Sequence, residues 1–327
     1  MKRPLRFLLR GLRGPLPGYA LVLLGMMARL SMPTAHSHEP TRVASTLKDN
    51  LSKPFPLHDV PPPVDVAESI VESSVPEVAE VETPESVQRH ASLATVKRAI
   101  ALITTGCEKF NEIPAYSAKF RKLERLDGDL HNEQLINTHI RHAPFSVYMK
   151  WEEGDKNRQL IFVDGKFDGN LLVQPGGIAG RVTGVLKFDP DSEMARSDSR
   201  YSIREAGLLN LAALILSYQR VDVTRGQGFQ CQMSEEEEDP SGRPTYHFTT
   251  TYESAEFNPL YRKAEFYIDK ELSLPTCVRN YTWAVDADEA TLDEDTLLEF
   301  FQWSEIEAEE SSEETFDPTN KAYRMRM

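Results

Sequence analysis

Between Pro144 and Trp151 the chain alternates: Phe145, Val147, Met149 and Trp151 fall on one parity, Ser146, Tyr148 and Lys150 on the other. A period of two predicts a strand with one buried and one wet face. The same period governs AYSAKFRKLERLDG, where Tyr116, Ala118 and Phe120 share a side, and EQLINTHIRH, where Ile136, Thr138 and Ile140 do. RQLIFVDG, GNLLVQPG and RVTGVLKFDP follow with short polar turns, the pattern of an antiparallel meander. FQCQM, TYHFTTTYES, KAEFYIDKELSLPTCVRNYTW and LLEFFQWSEIE extend it to about nine or ten strands.

Two stretches have a helical period instead. SVQRHASLATVKRAIALITTGCEKF places Val87, Leu93, Val96, Ile100, Leu102 and Ile103 toward one face. SIREAGLLNLAALILSYQRV carries a broad stripe from Leu208 to Ile215, and Ser202 with Glu205 has the form of a capping box. One α+β domain accounts for the whole pattern: an antiparallel sheet with helices laid over its apolar face.

The ends of the chain read differently. Residues 1–37 combine a basic start, the apolar run GYALVLLGMMA and an A-x-S exit, the form of a secretory signal peptide, with a retained signal-anchor as the rival. Residues 38–85, rich in Pro, Val and Glu, predict a disordered acidic spacer. The domain is expected over 86–325. Without the leader, which holds six basic residues and no acidic one, the net charge of −14 becomes about −20. Such a surface repels phosphate backbones and argues against nucleic acid as a partner. A membrane tether follows only if the leader stays uncleaved.

Candidate chemistry is sparse. The chain has no G-x-S-x-G, Walker loop, H-E-x-x-H or C-x-x-C, and no motif calls for a cofactor or a metal. An exported hydrolase would need a nucleophile and base that no motif supplies. PGGIAGRVTG (175–184) predicts a flexible hairpin loop, and EEEED (235–239) a solvated hairpin tip. Carboxylates are too numerous for a catalytic pair to stand out without geometry. Three thiols, Cys107, Cys231 and Cys277, read as isolated and buried; if a bridge forms, Cys231–Cys277 is the expected pair. The candidate ligand face joins Phe145, Val147, Met149 and Trp151 to Phe120, Ile136, Ile140, Leu160 and Phe162, large rings and a flexible Met suited to an apolar guest.

AKFRKLERLDG (118–128), RHAPFSVYMKW (141–151) and the hairpin LIFVDGKFDGNLLV resemble the periplasmic lipoprotein-carrier superfamily of LolA and LolB. With FDPDSEMARSDSRYSIREAGLLNL (188–211) and FDPTNKAYRM (316–325), the chain more closely resembles an exported bacterial family of unknown function attached to that superfamily. The resemblance implies a strongly curved antiparallel sheet, an incomplete barrel whose open side is plugged by helices. It also implies a non-enzymatic envelope protein of the periplasm, with a lipid or lipoprotein acyl chain as guest. No arginine here matches the carriers' gating residue. The alternative is a structural or partner-binding envelope module whose sheet is fully plugged.

Overall fold

The computed structural model describes residues 83–284, 291–323 and 325–326; the expected leader and nearly all of the spacer lie outside them. The first helix, α1 (Pro84–Phe110), begins two residues before Ser86: the Thr83 side chain accepts from the Ser86 amide at 3.2 Å, and Pro84 occupies the first helical position, where its missing N–H costs nothing. Its buried stripe is Ser92, Val96, Ala99, Ile103, Gly106 and Phe110. Val87, expected on that face, is exposed. Small residues alternate with large ones along the stripe, where the helix lies close to the loop at residues 270–274. A Cβ on Gly106 would stand 2.2 Å from the Ser273 carbonyl oxygen.

The strands that follow are β1 (Ala115–Leu126), β2 (Asp129–Leu130), β3 (Gln134–Arg141), β4 (Ser146–Glu153), β5 (Gln159–Val163) and β6 (Leu171–Gln174). A short helix α2 (Gly177–Thr183) precedes β7 (Leu186–Phe188), and α3 (Leu208–Arg225) precedes β8 (Phe229–Glu238). β9 (Pro244–Tyr252), β10 (Lys263–Asp269), β11 (Pro275–Tyr281), a one-turn α4 (Leu292–Thr296) and β12 (Leu297–Glu309) complete the order. All pair antiparallel in one twelve-stranded sheet, β7-β6-β5-β4-β3-β1-β12-β11-β10-β9-β8, with β2 on β1. The sheet is open, because β7 and β8 each pair on one side only. The excess over nine or ten strands comes from β2, too short to show an alternation, and from KAEFYIDKELSLPTCVRNYTW, which holds two strands, β10 and β11.

Both long helices pack on one face, where Val96 and Ile103 of α1 and Leu208 and Leu211 of α3 join the main core. Over β4 and β5 the opposite face is not wet as the alternation implied. Ser146 and Tyr148 are buried beneath the C-terminal tail: the Tyr323 ring stacks on Tyr148 at 4.0 Å, and Phe316 lies under the Arg141 guanidinium at 4.8 Å.

Three further expectations are corrected. PGGIAGRVTG holds the helix α2 rather than a plain loop, its Gly176 serving as an extended N-cap. The four glutamates 235–238 continue β8 as exposed strand residues, and the turn beyond is held by Asp239, which accepts from the Ser241 and Arg243 amides at 2.8 and 3.1 Å. Cys231 and Cys277 are free thiols. They belong to different clusters, Cys231 to the core under the helices and Cys277 to one with Tyr267 and Phe300, so no bridge joins them. Burial pushes the two thiols up to about 11 and about 12, which keeps them protonated and unreactive at neutral pH.

Candidate functional site

The placement of α3 creates the site. The Ser202–Glu205 capping box is present, but it closes a single 3-10 turn at Ile203–Glu205. Gly207, at φ 103°, then turns the chain down onto the sheet, so α3 starts without a side-chain cap of its own. A strand residue does that work: the Leu208 amide donates to the Tyr116 phenol oxygen of β1 at 2.9 Å. A Cβ on Gly207 would meet that oxygen at 2.9 Å and Ile140 Cδ1 at 3.1 Å, so only glycine permits the approach.

Between the strands and the covering segment 190–207, with the first turns of α3, lies a cavity of about 130 Å3. Of the nine expected ligand residues, Phe120, Ile136, Met149, Trp151 and Leu160 line it. Register explains the grouping: Phe120 pairs with Ile136, Ile136 with Trp151, and Met149 with Leu160. Ile140, Val147 and Phe162 share the parity but sit at the other end of the same strands, sealed under polypeptide. Phe162 packs against Phe145 at 6.3 Å and lies beneath Arg204 at 4.8 Å, so neither ring faces the cavity.

The alternation did not reveal the cavity's polar side. Lys122, Arg158, Asp198 and Tyr201 also line it. Lys122 Nζ donates to Glu124 Oε2 at 2.7 Å and to the Asp198 carbonyl at 2.9 Å, while Arg158 Nη1 reaches Asp198 Oδ2 at 2.9 Å. Glu124 lies opposite Glu299 across β1 and β12, and both are buried. Two adjacent buried carboxylates persist here because cations and donors surround them. Arg200 Nε donates to Glu299 Oε2 at 3.1 Å and its amide to Glu124 Oε1 at 3.2 Å. Tyr201 and Tyr261 donate phenol protons to Glu299 at 3.0 Å, and Asn280 donates at 2.6 Å. Burial, then the charge of Glu299, holds both phenols far above their ordinary range, so they remain donors. The signal was present in the sequence: Lys122 and Glu124 continue the inward parity of Tyr116, Ala118 and Phe120.

Asp222 of α3 is a second buried carboxylate system, accepting the Tyr252 phenol proton at 2.9 Å. Burial pushes its carboxyl up to about 6, against the opposing Tyr252 hydrogen bond and Arg225. The folded chain therefore holds this proton more tightly than the unfolded chain, whose aspartate titrates near 3.9. That contribution to stability is complete below about pH 4 and is lost as pH rises through about 6. Asp222→Asn, which keeps an acceptor for Tyr252, is expected to exceed the parent in stability at neutral pH by up to about 3 kcal/mol. The two should converge near pH 4; denaturant midpoints measured at both pH values check this, and a pH-independent offset would refute it.

A family described as Protein of unknown function (DUF1571) matches residues 113–325. No curated protein matches the chain. Among solved structures, a DUF1329 family protein from Desulfovibrio piger is similar at 10% identity and a TM-score of 0.34, covering 68% of this chain and 97% of that one. The Mycobacterium tuberculosis lipoprotein LppX is similar at 12% identity and a TM-score of 0.36, covering 68% of this chain and 99% of that one. A LolA superfamily protein from Nitrosomonas europaea is similar at 10% identity and a TM-score of 0.23, covering 65% and 96%.

Proposed function

Because the chain belongs to the DUF1571 family, described as of unknown function, we propose a role from the chain's own geometry: a non-enzymatic, exported envelope protein that binds an apolar ligand, such as an acyl chain, between α3 and the sheet. The observation that carries this reading is the cavity walled by Phe120, Met149, Trp151 and Leu160. A sheet fully plugged by its helices would leave no such space. The two carboxylates that the fold brings together support a non-catalytic role, since Glu299 has its acceptor sites filled by Arg200, Tyr201, Tyr261 and Asn280.

Magnitudes set the kind of guest. At about 130 Å3 the cavity approaches the ~150 Å3 apolar cavity that accepts one benzene ring. Six carbons gain about 5 kcal/mol at ~0.8 kcal/mol per methylene, a submillimolar affinity before ordering costs. A tighter guest must extend beyond this space.

Met149→Glu places a charge against the guest, and Leu214→Trp fills the cleft from the helix without burying one. Each is expected to weaken retention of a neutral naphthylamine dye at least about tenfold. Native mass spectrometry of protein taken from its own envelope should show a copurified lipid; consistently empty protein that also ignores the dye would refute the reading. A second reading, docking to an envelope protein, is favoured by Ile178 and Val182 of α2, which are 79% and 81% exposed one turn apart.

A further inference from the structure

The cleft continues past its apolar wall. Tyr201, Leu211, Leu214 and Phe301 line both the cavity described above and a second one of about 30 Å3. Polar side chains reach this inner space, whose lining is otherwise mostly apolar: Tyr218, Gln219, Tyr252, Tyr261 and Asn280 stand at its wall beside Glu299. Most of those groups are engaged. Tyr261 and Asn280 donate to Glu299, and Tyr252 donates to Asp222. Gln219 is the exception, 3% exposed and with no hydrogen-bond partner for Oε1. A buried amide oxygen left unpaired is costly, and such groups in native proteins normally meet a water or a ligand.

Resting on the reading of the cleft as an apolar-ligand site, we propose that its ligand is a neutral hydroxylated lipid. The hydroxyl reaches Gln219 in the inner space while the hydrocarbon lies along Met149, Trp151 and Leu160. A hydroxyl donates and accepts, so it satisfies the Gln219 amide in either orientation about its last bond. A carboxylate head is disfavoured by what already stands there. The inner space contains Glu299, whose cation Arg200 is bound to it at 3.1 Å. Lys122 and Arg158, the cations on the outer wall, are held by Glu124 and Asp198. An ammonium head would find the Glu299 oxygens occupied by four residues. Charged heads thus lose their water without gaining a counter-ion.

The experiment is displacement of the neutral naphthylamine dye from the full chain by decanol and by decanoate at about pH 8, where the acid is ionised. Decanol should displace the dye at a concentration at least about tenfold lower than decanoate. Gln219→Met, which keeps the side chain's shape, should weaken decanol about tenfold and leave dye affinity unchanged. If the dye binds but decanoate competes as well as decanol, or Gln219→Met leaves decanol untouched, the hydroxyl assignment is wrong and Gln219 serves only a water. If the dye does not bind at all, the apolar-ligand reading fails first, and the assignment with it.

Discussion

Glu299→Ala is expected to destabilise the folded chain by about 3–5 kcal/mol, the usual consequence of deleting one partner of a buried ion pair. The loss is large because one carboxylate organises four neighbours. Without it the Arg200 guanidinium, with a side chain 4% exposed, keeps its charge and loses its principal anion. Tyr201, Tyr261 and Asn280 lose their acceptor in the same step. In a domain of this size the corresponding fall in Tm is on the order of 10 °C. Glu305→Ala is the control: its bridge to Lys119 spans 2.9 Å, but the glutamate side chain is 63% exposed, and no resolvable change in midpoint is expected. Denaturant titration of the pair decides. Similar midpoints for both variants would mean that the network around Glu299 does not hold the segment before α3 to the sheet.

Phe316→Ala should cost a comparable amount, about 3–5 kcal/mol, although the residue lies in a tail beyond the last strand. Phe316 is buried against Tyr148, Ile161, Val163 and Leu172, on the face away from the helices. The tail is pinned there by Glu313, which accepts from Arg141 Nη1 and Lys166 Nζ at 2.5 Å each, and by the Tyr323 carbonyl, which accepts from Gln159 Nε2 at 2.8 Å. Removing the ring leaves a cavity over β4 and β5 and loosens the Tyr323 stack. Cleavage by a protease at low dose should then begin in the tail, ahead of any cut within the sheet. A variant as stable and as resistant as its parent would show the tail to be an ornament on the sheet.

These two sites mark where the sequence was legible and where it was not. The strands could be read because alternation is a local signal: Ile136, Thr138 and Ile140 announce one face within five residues. What covers a face is nonlocal. Nothing near Tyr148 discloses that Tyr323 will stack on it, so the strand's second face was misjudged as wet. The candidate ligand face was legible only as a parity, which cannot say at which end of the strands the covering chain will touch down. Ile140 and Met149 therefore looked equivalent, until Gly207 placed one under the chain and the other against empty space. Lys122 and Glu124 stand as charges on an inward parity, a local signal of the buried network that the alternation reading passed over. Gln219 carried no signal, since a glutamine on a helix is ordinary until its surroundings are known.

The acid run that continues β8 has a consequence for how the molecule behaves in a crowd. An unclosed sheet has two edge strands that a second copy could extend into a fibre, although on β8 the Cys231 amide already donates to Ser92 Oγ of α1 at 3.2 Å. One edge, β7, is only three residues long. On the other, Glu235 to Glu238 stand exposed along the outermost strand. A copy laid edge to edge there would bring glutamate against glutamate; among the described residues only Glu235 of the four carries an ion pair, with Arg98 at 2.8 Å. Like charges set across neighbouring strands repel. The four glutamates thus act as a guard against polymerisation, which lets the sheet stay open and its cleft stay reachable without the protein adding strands to itself.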